Sequence, residues 1–505
     1  MSGGLPSGGA QQGRASSRWL RLAPQAVPIL LVVAFALSVL LFYPFRFAFE
    51  LDPDEGIQLM KALLHVAGKP LYSEIYSDQP PLFTVLLSAL VRVFGAKVLP
   101  ARLVVLFFSM VLLVSAAEHT RRIWSWQHAA VAVALLVLVP DYLQLSVSVM
   151  VGLPAISLAM LSLLALTLWH QSARSGWLVL SALVLAASVM IKLFTVVLVP
   201  AVLVGLLLIP NPGGRGADAR RGAFDWRAVA LWLVVFAGAV GILVTWLVGL
   251  PNIGQLIESH VLAQGLAYTQ GEAFLRHARK LWPVFLLALL GVAVSIRRRA
   301  WTSLYYAAWM VLAAILLELN MPVWYHQKFL VAAPACILAG VGVVEPLRKA
   351  PWRRDAGWAA RLAAVAVLGL VGVYLLWAGP RIVGKLRTDM PNLAARDSLQ
   401  TREYDVLTLI EYFDPGGGYL ITDRPMFAFR ANRQIPPGLA NLSQKVLRSG
   451  IVSQGQIIEL IRSSGSPIVL LARFELPGVE EYLDARYDQA YGYRDLRLFV
   501  RNPSE

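Results

Sequence analysis

The sequence predicts a polytopic α-helical membrane protein that ends in a small α/β domain. Three observations carry this reading. Hydrophobic residues make up 57% of the 505 and charged residues only 15%, with a mean hydropathy of +0.62, too apolar for an ordinary soluble chain. Apolar runs of roughly 17–23 residues, long enough to cross a hydrocarbon core, recur as far as about residue 380. Beyond that point short β-prone runs alternate with amphipathic helical stretches.

Residues 1–25 read as a cytoplasmic tail. They are rich in Gly, Ser and Gln, as disordered segments are, and Arg14, Arg18 and Arg21 precede the first apolar run at about 26–45. That run is longer than a signal-peptide core and lacks a small-residue cleavage site, so it reads as an anchor. Residues 54–68 suggest a helix with Ile57, Met60, Leu63, Leu64 and Ala67 on one face. The run 81–95 is short and carries Arg92. Counted as a span, it would throw every arginine-rich loop outside; counted as an interfacial helix, it puts them inside.

With that choice the later spans fall near 101–119, 128–141, 150–170, 176–191, 193–210, 228–249, 281–297, 302–319, 328–346 and 361–379. One set of loops then holds Arg121, Arg122, Arg174, Arg215, Arg220, Arg221, Arg227, the Arg297–Arg299 run, Arg348, Lys349, Arg353, Arg354 and Arg361. The opposite loops after the first hold Lys192, Arg276, Arg279, Lys280 and Lys328. An imbalance of about three to one predicts eleven spans, with the N-terminus inside and the C-terminus outside. The expected organisation is a membrane domain over 26–380, with a first outer loop at 46–100, and an outer domain over 381–505. In that domain 419–422, 467–471 and 496–500 read as strands, and 402–413, 455–463 and 478–485 as helices. Asp423-Arg424-Pro425, just past a strand, reads first as a turn.

Several classes are excluded. The formal charge of +15 sits mostly in short loops between apolar runs, where it sets topology and meets anionic lipid, so nucleic acid is not expected as a partner. The single cysteine, Cys336, allows no intrachain disulfide, and no zinc or c-type haem spacing occurs. No internal repeat of the kind many transporters carry is visible.

Within residues 26–380 acids are scarce except just after the first span, in Phe49–Gly56 with Asp52, Asp54 and Glu55, and again at Asp78 in Tyr76–Leu82. Carboxylates beside a membrane segment are costly to desolvate and usually mark function. They can also cap a helix, since acids favour helix N-termini, and for Asp52 the cap is the preferred reading.

These residues resemble the GT-C glycosyltransferases, specifically the branch of protein O-mannosyltransferases and lipid A aminoarabinose transferases. The resemblance rests on Asp54-Glu55, the Tyr72–Tyr76 segment, Asp78-Gln79-Pro80-Pro81-Leu82, Gly95, Ala101-Arg102-Leu103, Lys192, and Pro322–His326 before Lys328, and covers roughly 20–380. It implies a membrane enzyme that takes a sugar, mannose- or arabinose-like, from a polyprenyl phosphate and passes it with inversion to a protein, lipid or polysaccharide. Asp54 would be the general base, with Glu55 beside it. Arg102, Lys192, His326, Lys328 and Gln79 would face the donor phosphate; Asp78, Tyr76 and Tyr325 would shape the acceptor side. The chemistry fits: a phosphate leaving group needs placed cations, and the acceptor hydroxyl needs a positioned carboxylate. Each cation alone could equally be a snorkelling interface residue. Two departures stand out. Gln79 lies where relatives carry Lys or His, and Met150–Pro154 lacks the second acid, leaving Asp141 the only one nearby. No obligatory metal is expected, a divalent cation being left open, because one carboxylate cluster without paired histidines is a poor transition-metal site. The competing readings are a flippase for a lipid-linked sugar, which would show polar or broken spans at the midplane, and an inactive relative acting as an assembly partner.

Overall fold

Every one of the eleven expected apolar segments is a helix. The structure, a computed structural model, describes residues 9–209, 225–258, 274–319, 323–348, 357–394 and 399–502. In chain order the principal helices are α1 (Gly9–Phe42), α2 (Pro53–Val66), α3 (Leu82–Phe94), α4 (Val98–Ile123), α5 (Trp126–Val137), α6 (Tyr142–Leu145), α7 (Gly152–Ser172), α8 (Ser175–Ile191) and α9 (Leu198–Leu208). They continue as α10 (Trp226–Leu247), α11 (Ile253–Ile257), α12 (Phe274–Lys280), α13 (Trp282–Arg297), α14 (Leu304–Leu319), α15 (Phe329–Arg348) and α16 (Trp358–Ala394). Helix α1 starts at Gly9, so it takes in much of the segment whose composition suggested a disordered tail.

Among the described residues seven helices are long and apolar enough to cross a membrane: Pro24–Phe42, Val98–Ile123, Gly152–Ser172, Trp226–Leu247, Trp301–Leu319, Phe329–Arg348 and Trp358–Arg387. The other four expected spans are helical but shorter: α5 has 12 residues, α8 has 17, α13 has 16, and Leu193–Leu208 is a 3-10 turn running into α9. At 13 residues α3 is about 20 Å long, well short of a hydrocarbon core of about 30 Å. It packs Phe83, Leu87 and Val91 inward and leaves Val93 and Phe94 exposed, as expected for a helix lying at an interface.

Burial sorts the bundle into an inside and an outside. The apolar windows of α7 and α15 are 83% and 89% buried, those of α1 and α10 only 17%. Helices α13 and α15 touch backbone to backbone. A Cβ on Gly291 would lie 1.9 Å from the Leu338 carbonyl, and one on Gly342 2.0 Å from that of Leu287. Only glycine permits so close a crossing, the small-residue packing typical of membrane bundles. At one end of the bundle Glu345 meets Arg298 at 3.0 Å and His128 at 3.4 Å, and Glu118 holds Arg121 and Arg122. Asp54 and its neighbours lie at the other end; Arg215, Arg220, Arg221, Lys349, Arg353 and Arg354 of the loop count lie outside the described residues.

The C-terminal unit is an α/β domain, with a mixed rather than simply alternating sheet. Helix α17 (Leu399–Phe413) leads into β1 (Ile421–Thr422), then α18 (Met426–Arg430), α19 (Gln444–Arg448), α20 (Gln454–Ser464), β2 (Ile468–Leu471), α21 (Pro477–Asp484), β3 (Tyr487–Tyr493) and β4 (Leu496–Arg501). The order is β1-β2-β4-β3; β1 and β2 are parallel, and β4 runs antiparallel to both neighbours. The sequence reading found β1, β2, β4 and the helices near 402–413, 455–463 and 478–485. It missed β3, an edge strand whose residues Asp488–Ala490 are all exposed, leaving no apolar alternation to detect.

Candidate active site

The site is assembled around the N-terminus of α2. Asp52 is its N-cap: the backbone is extended (φ −153°, ψ 141°) and Oδ1 accepts the Asp54 N–H at 2.9 Å. Pro53, with no N–H to satisfy, opens the first turn. The other oxygen of Asp52 accepts the Tyr325 hydroxyl at 2.5 Å, tying the segment before α15 to the cap. Asp54 follows, half-buried. Among the described residues its carboxylate makes no hydrogen bond or ion pair. Burial first, and the Asp52 charge second, push its pKa up to about 6, while Arg473 and Lys192 hold it down.

Glu55 is in the opposite position. It is wholly buried, and its oxygens accept Arg102 Nε at 3.1 Å, Arg102 Nη2 at 2.7 Å, the Val149 N–H at 2.9 Å and the Leu51 N–H at 2.7 Å. Arg102 is buried too, and Nη1 donates to the carbonyls of Phe45 and Ala48 at 2.5 and 2.8 Å. Every nitrogen of the guanidinium is therefore engaged. Where the sequence reading set Glu55 beside the base and Arg102 at the donor phosphate, the structure has both Glu55 oxygens engaged and four of the five Arg102 N–H donors spent on Glu55 and the two carbonyls. The pair clamps α2, α4, the end of the first span and the turn before α7.

The second acidic patch reaches the same place. Tyr72 takes a left-handed backbone (φ 71°), unusual for a bulky residue, and donates its buried hydroxyl to the Gln79 carbonyl at 2.8 Å. That folds Tyr72–Gln79 back on itself. The Gln79 side chain makes no hydrogen bond among the described residues. Asp78 accepts Asn441 Nδ2 of the C-terminal domain at 2.9 Å. The Tyr76 hydroxyl is buried without a partner, and burial, then the charges of Asp78 and Glu258, push its pKa up to about 12.

Lys192 sits in the turn between α8 and the following 3-10 helix, 9% exposed, its ammonium 4.8 Å from the Phe194 ring centroid. Burial lowers its pKa to about 8, against the opposing pull of Asp54 and Asp78. His326 is kept neutral, its pKa well below the usual value through burial and then the Lys192 charge. Lys328 turns elsewhere. Its ammonium pairs with Asp141 at 2.5 Å in a separate cavity, with Tyr325 standing between that cavity and the cap.

Two cations were not legible as site residues. Lys61, fully buried on α2, reaches only Ser77 Oγ at 3.4 Å and feels the charges of Asp78 and Asp54. Its signal was spacing: a lone lysine in an apolar stretch, seven residues after Asp54 and so on the same helix face. Arg473 comes from the far end of the chain. Asp423 accepts the backbone N–H groups of Ala472, Arg473 and Phe474 at 2.7, 2.9 and 2.7 Å, fixing the loop after β2. Arg473 Nη1 is buried without a partner, and its charge reaches both Asp52 and Asp54. Its position past the end of a strand was the available hint.

The C-terminal domain is bolted to this loop. Arg424 bridges Glu50 at 2.6 Å and Glu403 at 2.5 Å, and Arg430 donates to the carbonyls of Phe49 and Ala48 at 2.9 and 2.8 Å. Gly56 lets α18 lie directly on α2, since a Cβ there would come 2.5 Å from the Met426 nitrogen. Around the Asp54 carboxylate thus gather Arg473, whose Nη1 is buried without a hydrogen bond, and the Lys192 ammonium, held over the Phe194 ring, while near Asp78 the buried Tyr76 hydroxyl is likewise without one. Buried polar groups are normally paired, so such a collection is what a polar ligand would satisfy. Among the described residues no three His, Cys, Asp or Glu side chains group to hold a metal ion.

Comparison with known proteins fits this architecture. The family model for dolichyl-phosphate-mannose-protein mannosyltransferase matches residues 78–243. The structure of ArnT from Cupriavidus metallidurans, bound to undecaprenyl phosphate, superposes with a TM-score of 0.63 at 16% identity, covering 94% of this chain and 98% of that one. The oligosaccharyltransferase AglB from Archaeoglobus fulgidus, in complex with an inhibitory peptide and a dolichol-phosphate, superposes at 0.57 with 11% identity, over 96% and 75% of the two chains. The chain has the GT-C glycosyltransferase fold. No curated protein sequence matches it. Within the GT-C frame the family model begins at Asp78, so Asp54 and Glu55 lie outside the matched region.

Proposed function

We propose that this GT-C protein is an integral membrane glycosyltransferase that moves a sugar from a polyprenyl phosphate to an acceptor hydroxyl, with inversion, and that Asp54 is its general base. One observation carries the assignment: of the four acids around the start of α2, Asp54 alone has no hydrogen bond or ion pair to its carboxylate among the described residues. Glu50 is paired with Arg424, Asp52 caps the helix and accepts from Tyr325, and Glu55 is locked to Arg102. A base must be free to accept a proton and close to deprotonated at working pH, and a carboxylate titrating near 6 meets both needs.

In the proposed reaction the acceptor hydroxyl gives its proton to Asp54 as its oxygen bonds to the anomeric carbon. The bond from that carbon to the phosphate oxygen breaks, and polyprenyl phosphate leaves from the opposite face of the sugar. Lys192 and Arg473 receive the charge that develops on the leaving group, being in place before reaction starts. Neutral His326 and Tyr76 supply hydrogen bonds, and Lys61 balances the two acidic patches from beneath. The presence of undecaprenyl phosphate and dolichol-phosphate in the two solved relatives supports a lipid-linked donor. A mannose- or arabinose-like sugar follows from the resemblance to the mannosyltransferase and aminoarabinose branch, and the acceptor is a protein, lipid or polysaccharide. The imbalance of basic residues between the two sets of loops in the sequence supports a site on the outer face of the cell membrane, with the N-terminus in the cytoplasm and the C-terminal domain outside.

Purified protein given a polyprenyl-phosphate sugar should consume it without an energy source. Asp54→Asn should abolish turnover while leaving thermal unfolding unchanged; wild-type turnover in that variant would remove the assignment.

A further inference from the structure

The dipeptide Asp423-Arg424, just past β1, reads from the sequence as a turn, and the proposed reaction uses neither residue. Arg424 seats the C-terminal domain on the first outer loop, bridging Glu50 at 2.6 Å and Glu403 at 2.5 Å. Asp423 faces the other way, into the domain. Strands β1 and β2 are parallel, with Thr422 opposite Leu470, so Asp423 lies beside the loop that leaves β2. Its carboxylate is buried and forms no ion pair among the described residues. Oδ1 accepts the Ala472 N–H at 2.7 Å, and Oδ2 accepts those of Arg473 and Phe474 at 2.9 and 2.7 Å. Further along, Glu480 accepts the Leu476 N–H at 3.1 Å, so the loop is pinned at both ends.

A carboxylate that ties down successive N–H groups often does no more than shape a turn. What this loop carries points further. The Arg473 guanidinium stands 4.9 Å from the Phe474 ring centroid, and its Nη1 is buried without a hydrogen bond. No acid pairs with it among the described residues, so its place is set by its own backbone, and that backbone by Asp423. Burying a carboxylate without a counter-ion is costly, though three charge-assisted hydrogen bonds offset much of the loss. Leaving a guanidinium nitrogen buried and unsatisfied adds a second cost. A loop shaped for stability alone would pair these two opposite charges. Here they stay unpaired, and the Arg473 charge reaches Asp52 and Asp54 instead. We propose that Asp423 is a positioning residue of the reaction: through the backbone of residues 472–474 it aims the Arg473 guanidinium at the Asp54 site, where a phosphate can take up the unused nitrogen. The proposal rests on the reading of Arg473 as a partner of the leaving phosphate. It makes the C-terminal domain part of the reactive centre, seated by Arg424 and aimed by Asp423.

The test is a double-mutant cycle on full-length protein in phosphatidylcholine nanodiscs, read as affinity for farnesyl phosphate at pH 8, with farnesol as the probe that lacks the phosphate. Arg473→Gln should weaken farnesyl phosphate at least about tenfold, the factor of one hydrogen bond to a charged group. Asp423→Ala should weaken it by a similar factor, and the double variant by no more than about twofold further, since two residues that act through one contact are not additive. Farnesol affinity should not change in any of them. Asp414→Asn, which strips Arg433 of its ion-pair partner in the same domain, should leave farnesyl phosphate affinity within about twofold of wild type. Losses that add, an equal loss for farnesol, an equal loss in Asp414→Asn, or no farnesyl phosphate binding by the wild type each overturn the proposal. If Asp423→Ala does not fold, Asp423→Asn decides: its amide keeps an acceptor oxygen but turns a donor on at least one N–H, and full affinity there overturns the proposal. Where a polyprenyl-phosphate sugar is turned over, the acid limb of kcat/KM supplies a sign. Losing the Asp423 charge alone would move the limb to lower pH, whereas displacing Arg473, which favours ionised Asp54, moves it to higher pH. The expected shift is upward, and a limb that stays or falls overturns the proposal. Turnover in Asp54→Asn would remove the base assignment and leave the cycle untouched, which keeps the two readings distinguishable.

Discussion

Removing the charge of Glu55 separates the roles of two adjacent acids. In Glu55→Gln the side chain keeps its shape but loses its charge, and one of its two acceptor oxygens becomes an NH₂ donor. The wild-type carboxylate accepts four hydrogen bonds, two from Arg102 and one each from the Val149 and Leu51 N–H groups, at 2.7 to 3.1 Å. The amide oxygen can still serve one pair of these, but the NH₂ faces the other pair as a donor against donors. The guanidinium, 1% exposed, keeps its charge without a counter-ion. Removing one partner of a buried ion pair costs about 3–5 kcal/mol, because the charge left behind stays desolvated. A single buried N–H without an acceptor costs about 1–3 kcal/mol, partly counted already in that figure. The expected loss is therefore about 3–5 kcal/mol. It should read as a fall of several degrees in the unfolding temperature of detergent-solubilised protein, with low yield for Glu55→Ala. Protein that survives should retain turnover at low temperature. Asp54→Asn should show the mirror image, normal stability and no turnover. A Glu55→Gln variant that unfolds at the wild-type temperature yet transfers no sugar would refute this reasoning and restore Glu55 as a catalytic group.

Two more outcomes follow from the same geometry. Because Asp54 must be deprotonated to act and titrates near 6, kcat/KM should fall about tenfold per pH unit below that value. Arg473 and Lys192 favour the charged carboxylate, so Arg473→Gln or Lys192→Gln should move this acid limb to higher pH; a limb that stays in place would show that neither charge reaches Asp54. At the domain contact, Gly56→Ala would drive a methyl group to 2.5 Å from the Met426 nitrogen, forcing α18 off α2. Overpacking of this kind costs about 1–3 kcal/mol. The C-terminal domain should become more sensitive to limited proteolysis, and an unchanged digestion rate would show that the contact yields without cost.

How much of this was legible in the sequence depends on the range of the interaction that decides each feature. Apolar length is local, and every expected apolar segment is helical, seven of them long enough to cross a membrane among the described residues; the three helices read near 402–413, 455–463 and 478–485 are present as well. The Asp52 cap was legible for the same reason, being set by two residues of spacing. Strand β3 was not, because an exposed edge strand buries too little to leave a period-two pattern. Glu55, which the sequence left between a part in the chemistry and one in holding the helix, is a different case. Adjacency on the chain suggested shared chemistry, yet consecutive residues on a helix point about 100° apart. One acid therefore faces the opening while the other meets Arg102, 47 residues later. Arg473 was hidden because its approach to Asp54 depends on how the C-terminal domain docks, which no short window of sequence contains.

The way Arg424, Arg430 and Met426 grip the loop after the first helix has a consequence for the order of biosynthesis. Asp54 emerges from the ribosome some 419 residues before Arg473. Between them the chain must thread the whole bundle, and the inner strand β4, which completes the sheet, follows Arg473 in turn. Until that sheet closes, Arg424 has no fixed support from which to hold Glu50, and Asp54 faces no Arg473. A nascent or truncated chain would carry its carboxylate into the membrane with half of the surrounding wall missing. The domain that looks like an appendage thus completes the wall around Asp54, which stays open on one side until the sheet has folded.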